Sequence, residues 1–132
     1  MPDPSKGILL DSSVIIAHFR GKLDLFSLVP PGVSLFMPLA VLGELRKGAI
    51  KSGAPERHHK KIDGLLKVVA VALPDDATAE IYAQAAARLE QAGTPIPEND
   101  IWIAAAGLEL DLPLATRDGH FERVEGLTVL RW

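Results

Sequence analysis

Four acidic side chains stand where they could act together: Asp11, Glu44, Asp100 and Asp118. Each borders an apolar run. Asp11 directly follows Gly7-Ile8-Leu9-Leu10, and Asp118 comes two residues after Leu112-Pro113-Leu114-Ala115-Thr116. Glu44 precedes Leu45 and Asp100 precedes Ile101, so both acids edge a buried stripe instead of facing solvent. Carboxylates gathered in one crevice repel, and a divalent cation relieves that repulsion. Hard oxygen donors suit Mg²⁺ or Mn²⁺. Such an ion can polarise a water, neutralise a phosphate oxygen and stabilise a leaving oxygen. A structural zinc site is not expected in a chain without cysteine whose four histidines are dispersed. The bland alternative is that these acids, drawn from 17 in the chain, are solvated caps and helix-dipole partners.

Convergence depends on the elements that carry the acids. Gly7–Leu10, Ser34–Met37, Val68–Leu73, Leu112–Thr116 and Leu127–Leu130 read as five apolar strands, buried on both faces as in a parallel sheet. Pro113 is tolerable only near a strand start. Between them, Ala77, Ile81, Ala85 and Leu89 recur every fourth residue up to the stop signal Gly93. Ile101, Ala104, Ala105 and Leu108 form a helical stripe within Glu98–Leu110. Pro38 begins a further helix with Leu42, Leu45 and Ala49 on one face. Ser13–Phe19 and Pro55–Leu66 are helical as well. Alternating strands and helices predict a three-layer α/β/α domain. In such a domain ligands bind beyond the carboxyl ends of the strands. Asp11 and Asp118 fall at that edge, as do the helix N-terminal turns bearing Glu44 and Asp100.

The 132 residues suit one domain, and a hydrophobic fraction of 48% can fill its core. No apolar run approaches the roughly 18 residues of a membrane span. The proline-rich, polar start is unlike a signal peptide, and the lack of cysteine is compatible with the cytoplasm. A net charge of −3 is unusual for a nucleic-acid binder, so any such contact must use a local patch or bound cations.

Four separated segments resemble the PIN domain family, in particular its VapC-type toxins. Ile8-Leu9-Leu10-Asp11-Ser12-Ser13 is similar to the family's opening strand and first acid. Pro38 through Glu44-Leu45-Arg46-Lys47-Gly48 resembles its glutamate helix. Asn99-Asp100-Ile101-Trp102-Ile103-Ala104-Ala105-Ala106 and Leu114-Ala115-Thr116-Arg117-Asp118-Gly119-His120-Phe121 resemble its last two motifs. The resemblance runs from Gly7 to about Leu130. It implies one PIN-like domain over residues 1–132, with a mainly parallel five-stranded sheet and a flexible extension at 1–6. It also implies Mg²⁺- or Mn²⁺-dependent cleavage of RNA, homodimerisation and neutralisation by a small antitoxin. Asp11, Asp100 and Asp118 would hold the metal, Glu44 would complete the site or activate water, and Ser12 and Thr116 would lend hydroxyls. Glu98, beside Asp100, departs from the neutral residue the pattern leads us to expect, and is read as pointing to solvent.

Other residues carry weaker signals. Arg46 and Lys47 are candidates for RNA phosphate contacts. Arg57-His58-His59-Lys60-Lys61 reads as a solvated helix face, and His120 as a packing or capping residue. Trp102 and Trp132 read as core or interface anchors. Leu25, Phe26, Leu28 and Val29 offer apolar surface to a second copy. Ser13 lacks a histidine–acid pair, which argues against a serine nucleophile. A receiver-like phosphoacceptor module would need an acid pair after the first strand and a lysine after the last; Ser12-Ser13 and Thr128–Trp132 supply neither. A haloacid-dehalogenase-like phosphatase would need an acid where Ser13 stands. A non-catalytic RNA-binding scaffold would not need all four acids.

Overall fold

Ile8-Leu9-Leu10 forms the central strand of a five-stranded sheet in a computed structural model that describes residues 6–132. This strand, β1 (Ile8–Leu10), pairs in parallel with β2 (Leu35–Pro38) on one side and β4 (Leu114–Thr116) on the other. Beyond β2 lies β3 (Val69–Ala72), and beyond β4 lies β5 (Val129–Arg131), both parallel. The order is β3-β2-β1-β4-β5. The chain thus builds outward from β1 in one direction, then returns to build in the other. The topological switch falls between β1 and β4, and the crevice beyond their carboxyl ends is the favoured ligand position in such sheets. Asp11 and Asp118 leave the sheet at those two strands.

Helices fill the two outer layers: α1 (Ser12–Phe19), α2 (Leu25–Leu28), α3 (Leu39–Lys51), α4 (Pro55–Leu65), α5 (Asp76–Gln91) and α6 (Glu98–Leu110). A 3-10 helix spans Gly119–Arg123. The core runs through β1, α1, α3, α6 and β4, with Leu9, Leu10, Val14, Ile103 and Leu114 fully buried. Ala104, Ala105 and Ala106 of α6 are buried too. At Gly107 a Cβ would lie 2.7 Å from Leu127 Cδ1, so small residues let α6 approach closely and fix where its N-terminal Asp100 sits.

The strand reading needs correction at the sheet edges. β1 and β4 are buried throughout, but β3 and β5 are outermost, with a neighbour on one side only. Val68 and Leu73, expected inside a buried strand, flank β3 and are 59% and 72% exposed. Pro38 closes β2 and is the N-cap of α3. The buried face of that helix is Val41, Leu45 and Ala49, with Leu42 half-buried. In α5 a capping box between Asp75 and Thr78 sets the helix start. That phase buries Thr78 and leaves Ala77 exposed. Leu25 is a core residue and Val29 is half-buried, so of the four apolar residues offered to a second copy only Phe26 and Leu28 are substantially exposed. Of the expected flexible extension at 1–6, all but Lys6 lies outside the described residues.

Candidate metal-dependent active site

Asp11 is the hinge between β1 and α1. It occupies the N-cap position of α1, yet its side chain makes no capping bond. The carboxylate instead turns toward β4. Ser13 Oγ donates to Asp11 Oδ2 at 2.7 Å and Thr116 Oγ1 donates to the same oxygen at 2.8 Å. Both hydroxyls are oriented in turn, because Arg117 N–H donates to Ser13 Oγ and Asp118 N–H donates to Thr116 Oγ1, each at 3.0 Å. A hydroxyl that accepts from an amide is a better donor onward. Asp11 is 4% exposed, and its Oδ1 has no hydrogen-bond partner among the described residues. The side chain is fixed but half unused, which a cap would not be. The hydroxyl after β1 belongs to Ser13; Ser12 makes no side-chain hydrogen bond among the described residues.

Asp118 does cap: its Oδ1 accepts from His120 N–H at 2.9 Å at the start of the 3-10 helix. This tight turn folds the His120 ring back over the cleft. Its Nδ1 lies 3.1 Å from Asp118 Oδ1 and 3.4 Å from Asp100 Oδ2. Asp100, Asp118 and His120 each present a donor atom within 4.8 Å of the others, close enough to share one ion. His120, read from sequence as a packing or capping residue, therefore belongs to the site. The signal was its place two residues beyond Asp118, where a short helical turn returns the side chain toward its own cap.

Asp100 lies in the first turn of α6, its side chain 14% exposed. Burial pushes its carboxyl above the ordinary aspartate range; the His120 contact opposes this, and the charges of Asp11, Asp118 and Glu44 add to it. The three other acids expected from the sequence thus bear on Asp100, but of the four only Asp100 and Asp118 stand in the compact donor group, with His120. Glu44 adds an independent sign. Its Oε1 is buried without a hydrogen-bond partner, a costly state for a carboxylate unless a ligand answers it. The donors are carboxylate oxygens with one imidazole nitrogen, a set that fits a hard divalent cation.

Residues at the margin divide. Arg46 gives its guanidinium to α4, with Nη2 2.8 Å from Asp63 Oδ1 and Nη1 3.1 Å from His59 Nδ1. Lys47 is exposed and has no ion pair among the described residues. Glu98 is exposed and accepts from the Tyr82 hydroxyl, while Trp102 stacks on Tyr82 at 4.0 Å between ring centroids. Among the described residues, no helix is long and apolar enough to cross a membrane.

Residues 8–127 match the family model of the PIN domain. Ribonuclease VapC5 of Mycobacterium tuberculosis is 31% identical over 125 residues, covering 93% of this chain and 90% of that protein. The structure of VapBC-1 from nontypeable Haemophilus influenzae aligns with a TM-score of 0.85 at 30% identity, covering 95% of this chain and 97% of the matched one. VapBC-5 from Mycobacterium tuberculosis, a member of the VapBC family of toxin–antitoxin systems, aligns with a TM-score of 0.79 at 27% identity, covering 98% and 100%.

Proposed function

From the premise that the chain belongs to the PIN domain family, we propose that it is a Mg²⁺- or Mn²⁺-dependent endoribonuclease, the toxin of a toxin–antitoxin pair. The observation that carries this reading is the cluster of Asp100, Asp118 and His120 donor atoms within 4.8 Å of one another, with Asp11 joined to it through Thr116. Asp100, Asp118 and His120 present donors close enough for one ion, and Asp11, tied to Asp118 through the Thr116 hydroxyl, would complete the set. When bound, the cation supplies charge neutralisation at the phosphate and eases deprotonation of water. The hydroxyls of Ser13 and Thr116 hold Asp11 in one orientation, so its free oxygen stays presented to the cleft. Glu44, with an unpartnered buried oxygen, is suited to take a proton from the attacking water.

Incubation of the protein with single-stranded RNA tests the reading. Cleavage is expected with Mg²⁺ or Mn²⁺ and none in EDTA; cleavage by metal-free protein in EDTA would exclude the mechanism. Ser13→Ala should weaken Mn²⁺ binding by roughly 10-fold or more, the usual effect of losing a partner that orients a ligand. Ser12→Ala should leave it unchanged. Equal affinities for the two variants by calorimetry would remove Ser13 from the site.

The proposed partners are RNA, a cognate small antitoxin and a second copy of the chain. The VapBC relatives support the antitoxin. A basic side chain of the antitoxin placed among the acids would neutralise them in place of a cation. Surface for a homodimer is available at an apolar groove of about 390 Å³ edged by Leu39, Leu73 and Leu110, each over 40% exposed.

A further inference from the structure

The stretch Arg57–Lys61, read from sequence as a solvated face, is divided by its helix. Arg57 and Lys61, four positions apart, share one side of α4, and with His58 at its edge they line a groove between α1, α3 and α4. His59 and Asp63 lie on another side and hold Arg46. The groove encloses about 420 Å³ and also takes in Arg20, the Phe19 ring and, among its lining residues, Glu44. Arg20, Arg57 and Lys61 form no ion pair with an acid among the described residues. Lys61 Nζ instead donates to the Phe19 carbonyl at 3.4 Å and lies 6.0 Å from the Phe19 ring centroid. In a chain of net charge −3, three cations without an acid partner are gathered around one groove. Basic rims with aromatic and apolar floors are how single strands are held.

We propose that this groove is a substrate subsite, in which Arg57, Lys61 and Arg20 hold backbone phosphates of the RNA flanking the bond to be cut. The proposal rests on the nuclease reading, because Glu44 is shared between the groove and the acidic cleft. A strand crossing the acids would therefore enter the groove directly. It also answers the charge problem: the acids take the scissile phosphate through a cation, and the groove takes its neighbours through fixed positive charge.

The test is the salt dependence of binding to a short labelled single-stranded RNA, measured by fluorescence anisotropy in EDTA. Each lost phosphate contact lowers the log–log salt slope by about 0.7 for a single strand. Arg57→Gln/Lys61→Gln should lower it by about 1.4 and raise Kd roughly tenfold near 0.1 M salt. Lys60→Gln/Lys67→Gln makes the same change in net charge on exposed residues outside the groove and should leave the slope alone. With Mg²⁺, the groove variant should raise KM and keep kcat at saturating RNA. Coincident slopes for the groove variant and wild type, or equal losses in both variants, would overturn the subsite. So would loss of antitoxin affinity with an unchanged RNA slope, which would give the groove to the protein partner. Cleavage with coincident slopes removes only the groove; a slope difference without metal-dependent cleavage removes only the nuclease reading.

Discussion

Asp11→Asn should lower metal-dependent RNA cleavage at saturating substrate by about 10³-fold, while the protein remains folded. The asymmetry of the site gives the reason. Asp11 Oδ2 receives two hydroxyl donors, from Ser13 and Thr116, and Oδ1 is left for the cleft. An asparagine can satisfy the hydroxyls only by placing its oxygen at the Oδ2 position, which aims its NH₂ where a cation would bind. The flipped amide aims its NH₂ at the two hydroxyls, which must then turn their own protons away and accept it beside the Arg117 and Asp118 amides. Either orientation loses a ligand charge. Removal of one preorganised electrostatic group at a reacting centre typically costs 10²–10³-fold, up to about 4 kcal/mol. The substitution keeps side-chain volume in a site that is 4% exposed, so packing loss is small beside that figure. Single-turnover cleavage with a matched thermal melt checks both halves. A folded variant within tenfold of wild type would show that Asp11 serves only as a structural link between β1 and β4.

The acids were legible in the sequence because strand ends and helix starts share one edge of a parallel sheet, whatever the strand order. Apolar runs and helical stripes placed Asp11, Glu44, Asp100 and Asp118 at that edge without any side-chain geometry. What escaped depends on details that periodicity does not carry. Ser12 and Ser13 are adjacent hydroxyls at a strand-to-helix junction, and only the first turn of α1 decides which one reaches Asp11. His120 enters because a 3-10 turn follows Asp118; as a free loop the same residues would send the ring elsewhere. Burial of β3 was overestimated because an edge strand and a central one can share the same Val/Ala composition, and strand order is a long-range property. The polarity of the α4 groove was hidden for a related reason. Five consecutive polar residues look uniform until the helix sorts Arg57 and Lys61 from His59.

Asp100→Asn should reverse its effect on stability according to whether metal is present. In the metal-free protein the folded-state pKa of Asp100 is raised, chiefly by burial and further by Asp11, Asp118 and Glu44, beyond what the His120 contact restores. Above the ordinary aspartate value of about 4, the folded state thus holds a proton that the unfolded chain releases. Stability then falls as pH rises through the interval up to the raised pKa, and the whole penalty is present beyond it. Asparagine carries no such penalty. The variant should match wild type below about pH 4 and gain on it with rising pH. At neutral pH in EDTA the gain should be on the order of 1 kcal/mol, or roughly 3–5 °C in Tm for a domain of this size. The side chain is 14% exposed, so solvent screening does not erase the effect. Added Mn²⁺ stabilises the folded state by mass action, and wild type, with the full set of charges, should gain more. The two melting curves should therefore change order as Mn²⁺ is titrated. An Asp100 serving only the dipole of α6 predicts the opposite: a variant less stable in EDTA by up to about 1 kcal/mol, with a metal response equal to wild type. Melts of both proteins at pH 4 and pH 7, each across a Mn²⁺ titration, separate these cases. An unaltered metal shift in a destabilised variant would take Asp100 out of the metal site.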